Sequence, residues 1–369
     1  MRAKHSLAML LSMSSLYLTD SFHVPVSRRQ WLAGCSALTA SLAVLPRQAT
    51  ATAPEKPRVT LLLDDRSSLS HLPLLLAEQL GFFKAEGIEV EMLEQANHVA
   101  GASALSITNP DVLCIPYENA LLFKAKGIHM VSLAQIARTP QWVLGVSNKN
   151  VPSYKSLADL RGKRMGLIDA EGSAQRCLNF ILLRAGVKPS QLNWVNLNSS
   201  VHAMVALRNG QVDALFAADP LMTALEKKDD VTVVTNLRTL KQTQRIFSGP
   251  LPGNSLLVSQ AFAQQHPQTC QALVAAVVRS LKWLRTAGPS DLLRTMVDNP
   301  VLPDRLVYLN AIDNVRESFS LDGWLSTEAQ QASVRMLGML DPSWASANVA
   351  WQNTARNDFV RQAKQRFRI

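Results

Sequence analysis

Two acidic residues, Asp64 and Asp65, are followed by Arg66, Ser70 and His71, so two carboxylates, a guanidinium, a hydroxyl and an imidazole lie within eight positions. Further along stand Tyr117 and Glu118, the run Glu171, Gly172 and Ser173, then Asp219 and Asn254. Converged on one cleft, these groups would make hydrogen bonds to a small polar guest, with Tyr117 covering a flat ring. Gly172 and Ser173 at a helix start would add backbone N–H donors. Carboxylates outnumber cations in the set. A desolvated inorganic anion beside unpaired carboxylates is strongly penalised, whereas a flat molecule with exocyclic N–H groups suits them. Each residue has a plainer reading as well: Glu118 as a charge favoured by a helix start, Arg66 as a surface charge, His71 as a satisfied core histidine.

Catalytic signatures are missing. There is no nucleophile elbow, phosphate-binding loop, dinucleotide fingerprint or His-x-x-x-His pair. Cys114, Cys177 and Cys270 stand far apart in apolar segments, which reads as core rather than as metal ligation or a disulfide framework. No enzyme activity, cofactor or metal is expected from these residues.

The elements that must position the set read as alternating strands and helices. Val59 to Leu63 is a short apolar strand that ends where charge begins. Ser70 and His71 precede Pro73, which starts a helix, and Gly81 stops it. Ile88, Val90 and Met92 alternate with Glu89 and Glu91 as the next strand. Residues 97–106 read as a short helix, 111–115 as a buried strand, and 116–126 as a helix stopped by Gly127. Strands at 164–168, 192–197 and within 210–220 alternate with helices that end at Arg184 and Arg208. Asp213 falls near its strand's start and reads as structural; Asp219 lies at the far end of that strand, with Glu226 as an alternative acid. Pro250, Pro252 and Gly253 mark a crossing that leads into Asn254 and a strand over 255–258. The remaining residues are helical, with an apolar stripe of Leu273, Val274, Val277, Val278, Leu281 and Leu284. This is an α/β chain, and ligands of such sheets sit at the carboxyl ends of strands.

LDDRSSLSHLPLLLAEQLGFFKAEGIEVEML, from Leu63 on, resembles the opening of periplasmic solute-binding proteins of the nitrate/taurine/sulfonate and thiamine-precursor group (SsuA/THI5-like). KSLADLRGK resembles that group's entry to its second domain, and LNWVNLNSSVHAMVALRNGQVDALFA resembles its later signature ending in Gly-Gln-Val-Asp-Ala. Asp64 followed seven residues later by His71 is similar to the pyrimidine-binding branch. Where that branch carries Trp after the Asp, this chain has Asp65, so a stacking ring is missing there. The resemblance implies a two-lobed, type II periplasmic-binding-protein fold, each lobe a sheet flanked by helices. It places 57–148 with 253–369 in the first lobe, 149–252 in the second, and the hinge near 147–152 and 244–254. It implies the substrate-binding subunit of an ABC importer, monomeric, delivering a small molecule to a membrane permease. The ligand expected is an aminopyrimidine thiamine precursor, the alternative an alkanesulfonate, taurine, nitrate or similar anion. The group's pyrimidine synthases carry a Cys-rich motif that this chain lacks.

Export is expected from the first 51 residues. Arg28 and Arg29 precede an apolar run to Leu45, and Ala49-Thr50-Ala51 forms a small-x-small site, the order of a signal peptide. SRRQWL resembles the twin-arginine motif, with an ordinary secretory signal as the other reading. Leu32-Ala33-Gly34-Cys35 looks like a lipoprotein box, but Cys35 precedes most of the apolar run. Periplasmic residence follows. Across 369 residues, hydrophobic content of 47% with 18% charged is ordinary globular composition. The net charge is +10, of which Arg2, Lys4, Arg28, Arg29 and Arg47 against Asp20 leave +4 on residues 1–51. The remaining basic residues are scattered with no aromatic-interleaved patch, so no nucleic-acid partner is expected.

Overall fold

The computed structural model describes residues 53–94, 109–168, 172–295, 304–346 and 351–369. The expected export signals, Cys35, the helix expected at 97–106 and Glu171 lie outside the described residues.

Among the described residues, ten strands form two five-stranded sheets. The strands are β1 (Arg58–Leu63), β2 (Glu89–Glu94), β3 (Val112–Pro116), β4 (Met130–Gln135) and β5 (Val143–Ser147), then β6 (Arg164–Leu167), β7 (Asn193–Asn196), β8 (Ala214–Ala217), β9 (Val231–Asn236) and β10 (Asn254–Ser259). The first sheet has the order β2-β1-β3-β10-β4 and the second β7-β6-β8-β5-β9. Within them β1 pairs parallel with β2 and β3, and β6 parallel with β7 and β8. The two antiparallel insertions are β10 and β5. Each is the strand that brings the chain across from the other sheet.

This places β5 in the second sheet, where the sequence reading had put residues up to 148 in the first lobe. The first crossing therefore falls between β4 and β5, before the 147–152 segment. VLGVS is apolar throughout and buried throughout, so its own pattern suits either sheet. The return crossing passes close by: the Gly253 amide donates to the Ala137 carbonyl at 2.9 Å. A Cβ at Gly253 would lie 2.3 Å from the Thr139 carbonyl oxygen, so only glycine permits this approach.

The other elements follow the local chemistry. The Leu72–Gln79 helix starts with Pro73 in its first turn, and Gly81 ends it at φ 68°, a left-handed conformation that costs glycine little. The apolar stripe of the Pro267–Thr286 helix is buried against β1, β3 and β4. Its Ser280 hydroxyl donates to the Pro73 carbonyl at 2.6 Å. The Thr327–Leu340 helix contributes Ala329, Met336 and Leu337 to a core shared with Leu113 of the first sheet and Leu144 of the second. Burial of a Leu or Met side chain is worth roughly 1.5–3 kcal/mol, so this helix ties the two sheets together by apolar contact. Among the described residues no helix is long and apolar enough to cross a membrane.

Candidate ligand cleft

The carboxyl end of β1 delivers Asp64 to a gap between the sheets. Its carboxylate, half exposed, accepts from the Asp65 amide at 2.8 Å and bonds His71 Nε2. The His71 side chain is fully buried, and its Nδ1 has no hydrogen-bond partner; the Cys114 sulfur is its neighbour on that side. Burial disfavours the imidazolium, yet the Asp64 carboxylate, helped by Cys114, holds His71 well above its usual range. His71 thus stands behind Asp64 and steadies it, rather than facing the gap.

The following turn is tied across the gap. The Leu69 amide donates to the Asp219 carbonyl at 2.8 Å, and the Ser200 hydroxyl donates to Asp65 Oδ2 at 3.0 Å. Ser68 and Ser70 share a hydroxyl contact of 2.7 Å. These bonds enclose a cavity of about 60 Å³ lined by Asp64, Asp65, Ser68, Ser70 and Asn254 on one side. Pro140, Trp142, Ile168, Ala174, Ser200, Phe216, Ala217, Ala218 and Asp219 line the other. Trp142 and Phe216 stand with ring centroids 5.8 Å apart, tilted by 46°. The Asn254 side chain is buried and has no hydrogen-bond partner among the described residues. No Lys, Arg or His appears among the described lining residues. The wall offers apolar ring faces and hydrogen-bond acceptors.

Several residues named from the sequence serve elsewhere. Tyr117 is fully buried and points into the core, where its hydroxyl meets Thr354 Oγ1 at 2.5 Å and Gln330 Oε1 at 3.3 Å. Burial pushes its phenol above the ordinary range. Glu118 is buried against Arg176 at 3.5 Å, and Arg176 also donates to Asn119 and Ser173, at 2.9 and 2.8 Å. Ser173 therefore closes a polar network between the Glu118–Ala125 and Ser173–Arg184 helices, and Gly172 caps the latter without lining the cavity. Arg66 pairs with Glu78 at 2.6 Å and faces a neighbouring chamber.

Asp219 lines the cavity with its backbone, but its carboxylate is spent on structure. Arg238 Nε and Nη2 donate to it at 2.5 and 3.0 Å, and the Thr223 amide at 2.9 Å. Glu226 accepts from the same guanidinium at 2.7 Å. Neither acid is available to a ligand, since both answer one buried arginine. Asp213 is structural, as expected, gripping Arg164 with both carboxylate oxygens at 3.1 and 2.7 Å. The residues not singled out from the sequence are Trp142, Phe216 and Ser200. Their only prior signal was an aromatic two residues after Pro140.

This cavity, between the two sheets and fed by the carboxyl ends of β1 and β8, has the geometry shared by two-sheet solute-binding folds. A model of the NMT1/THI5-like family matches residues 68–288. The chain belongs to the NMT1/THI5-like family. A solved structure from Bordetella bronchiseptica RB50 is 32% identical, with TM-score 0.81, covering 86% of this chain and 99% of that one. The alkanesulfonate-binding protein SsuA of Xanthomonas axonopodis, bound to MOPS, shares the fold at TM-score 0.59 and 20% identity, covering 84% of this chain and 98% of that one. A Schizosaccharomyces pombe 4-amino-5-hydroxymethyl-2-methylpyrimidine phosphate synthase is 25% identical over 157 residues, 42% of this chain and 43% of the relative. The chain spans about half the length of the curated relatives it matches. The chain is thus similar both to solved binding proteins of this fold and to relatives named as synthases.

Proposed function

We propose that this chain is the substrate-binding subunit of an ABC-type importer that captures an aminopyrimidine of the thiamine-precursor kind. The observation that carries the reading is the composition of the inner cavity. Trp142 and Phe216 supply ring faces, Asp64 and Asp65 supply acceptors, and no cationic side chain stands among the described lining residues. A sulfonate or nitrate would meet two carboxylates there and no cation on the described wall, the His71 imidazolium standing buried behind Asp64, at a desolvation cost of several kcal/mol. An aminopyrimidine would stack on Trp142 and donate its amino hydrogens to Asp64. The pyrimidine vocabulary of several relatives' names supports the same ligand class.

The periplasm, reached through the twin-arginine signal of residues 26–53, is where such a subunit would meet a membrane permease, as a monomer with two hinged lobes. The synthase names favour a second reading, an enzyme on this scaffold. The described cysteines, Cys114, Cys177 and Cys270, are buried and unpaired, which supports binding over cysteine-dependent chemistry.

A thermal-shift panel tests the assignment. 4-Amino-5-hydroxymethyl-2-methylpyrimidine, taurine, an alkanesulfonate and nitrate would each be added to the chain. A ligand at a hundred times its dissociation constant stabilises by about 2.7 kcal/mol. A shift with the pyrimidine alone is the expected result. A shift with the anions alone, or turnover of the pyrimidine, replaces the reading.

A further inference from the structure

Beside the inner cavity lies a larger chamber of about 370 Å³. The two share Asp65, Ser68 and Ser200 as a common wall. At roughly 10–15 Å³ of such space per water, the inner cavity has room for little more than one small ring. Anything larger must pass the hydrogen bond between Asp65 and Ser200 and enter the chamber.

The chamber's chemistry differs from the cavity's. Leu72, Leu75 and Val201 give it apolar walls. Its one cation is already matched, Arg66 by Glu78 at 2.6 Å; of its carboxylates, Asp65 accepts from the Ser67 and Ser200 hydroxyls at 2.5 and 3.0 Å and Glu94 from the Arg66 amide at 3.3 Å. The Thr295 hydroxyl donates to the Leu292 carbonyl at 2.8 Å. Tyr308 is the exception. It is 4% exposed, it lines the chamber, and its hydroxyl has no hydrogen-bond partner among the described residues. Burial pushes that phenol up to about 12, so it stays protonated at neutral pH. The hydroxyl opens onto the chamber, where an acceptor atom of a guest could take its hydrogen bond.

We propose that this chamber is a second subsite for the tail of a two-part ligand, an uncharged, largely apolar extension bearing an oxygen that accepts from the Tyr308 hydroxyl. The inference rests on the proposed ring site and deepens it: the preferred substrate is a pyrimidine substituted at the position that faces Ser200. The Asp65 and Glu94 carboxylates disfavour an anionic tail, the paired Arg66 offers it no partner, the leucines and valine favour carbon, and Tyr308 selects one polar atom within it.

Calorimetric titration of the chain with three 4-amino-2-methylpyrimidines tests this. Their 5-substituents are hydroxymethyl, pentyl, and an ether chain of the pentyl's length. On the wild-type chain each buried methylene raises affinity about threefold to fourfold. The ether binds a further roughly twofold to tenfold tighter. Tyr308→Phe removes the ether's advantage, and Val201→Trp, which fills the chamber, removes the gain of both extended compounds. Both variants bind the hydroxymethyl compound as the wild type does, which also reports that they fold. Extended compounds that bind no tighter than the short one, or a Tyr308→Phe loss equal for all three, overturn the subsite alone. Failure of the hydroxymethyl compound to bind the wild-type chain overturns the ring site, and the subsite with it.

Discussion

His71 Nε2 bonds the Asp64 carboxylate from the buried side of the cleft, while that carboxylate stays half exposed on the other. The pair fixes an acceptor at the cavity wall without giving the ligand a histidine to touch. It also links binding geometry to protonation.

Because His71 is held above its usual value in the folded chain, the stabilisation it brings is full below about pH 6.5, the unfolded value, and fades as pH rises through the folded one. Wild type and His71→Gln, compared by urea denaturation at pH 6, 7.5 and 9, should differ most at pH 6 and progressively less above it. A stability difference that is flat across this range would mean that the imidazole is neutral.

Trp142 and Tyr117 make an opposed pair of predictions. Trp142→Ala should weaken pyrimidine binding about fivefold to a hundredfold, the worth of one stacked ring at about 1–3 kcal/mol. Tyr117→Phe should leave the dissociation constant unchanged and cost about 1 kcal/mol of stability, because its hydroxyl bonds Thr354 inside the core. Calorimetry with a parallel denaturant titration separates the two effects.

Arg238 is 2% exposed and answers both Asp219 and Glu226. Arg238→Met leaves the buried Asp219 carboxylate uncompensated and should cost about 3–5 kcal/mol in chemical denaturation. A loss below about 1 kcal/mol would show that water reaches Asp219 and that it is open to ligand after all.

The sequence pattern reached the ends of β1, β2, β3, β6, β7 and β10 within a residue or two, because an apolar run that stops at charge, as at Leu63 and Asp64, is a local property; β4, β5 and β9 were not read. It also placed Asp64, Asp65, Ser70 and Asn254 on the cavity wall. It misplaced Tyr117, whose position after a strand suits a ligand stacker. The contact that turns it inward is with Thr354, 237 positions away, and no local spacing records that. Asp219 was misread for a similar reason: its partner Arg238 follows β9, a strand absent from the sequence reading. Trp142 escaped notice because its role depends on β5 joining the second sheet, which swings the 139–142 segment over the gap. In the proposed site, the ring that the family pattern puts after Asp64 would come from a crossing segment, at a different place in the chain.

The central claim is that Asp64 reads an amino-bearing ring in a cleft without cationic lining side chains, and calorimetric titration of wild type and Asp64→Asn tests it most directly. 4-Amino-5-hydroxymethyl-2-methylpyrimidine and an alkanesulfonate would be titrated side by side. The account predicts heat with the pyrimidine, none with the sulfonate, and a loss of about tenfold to a hundredfold in Asp64→Asn, the worth of a hydrogen bond to a charged group. Sulfonate binding without pyrimidine binding, or an Asp64→Asn affinity equal to wild type, would contradict it.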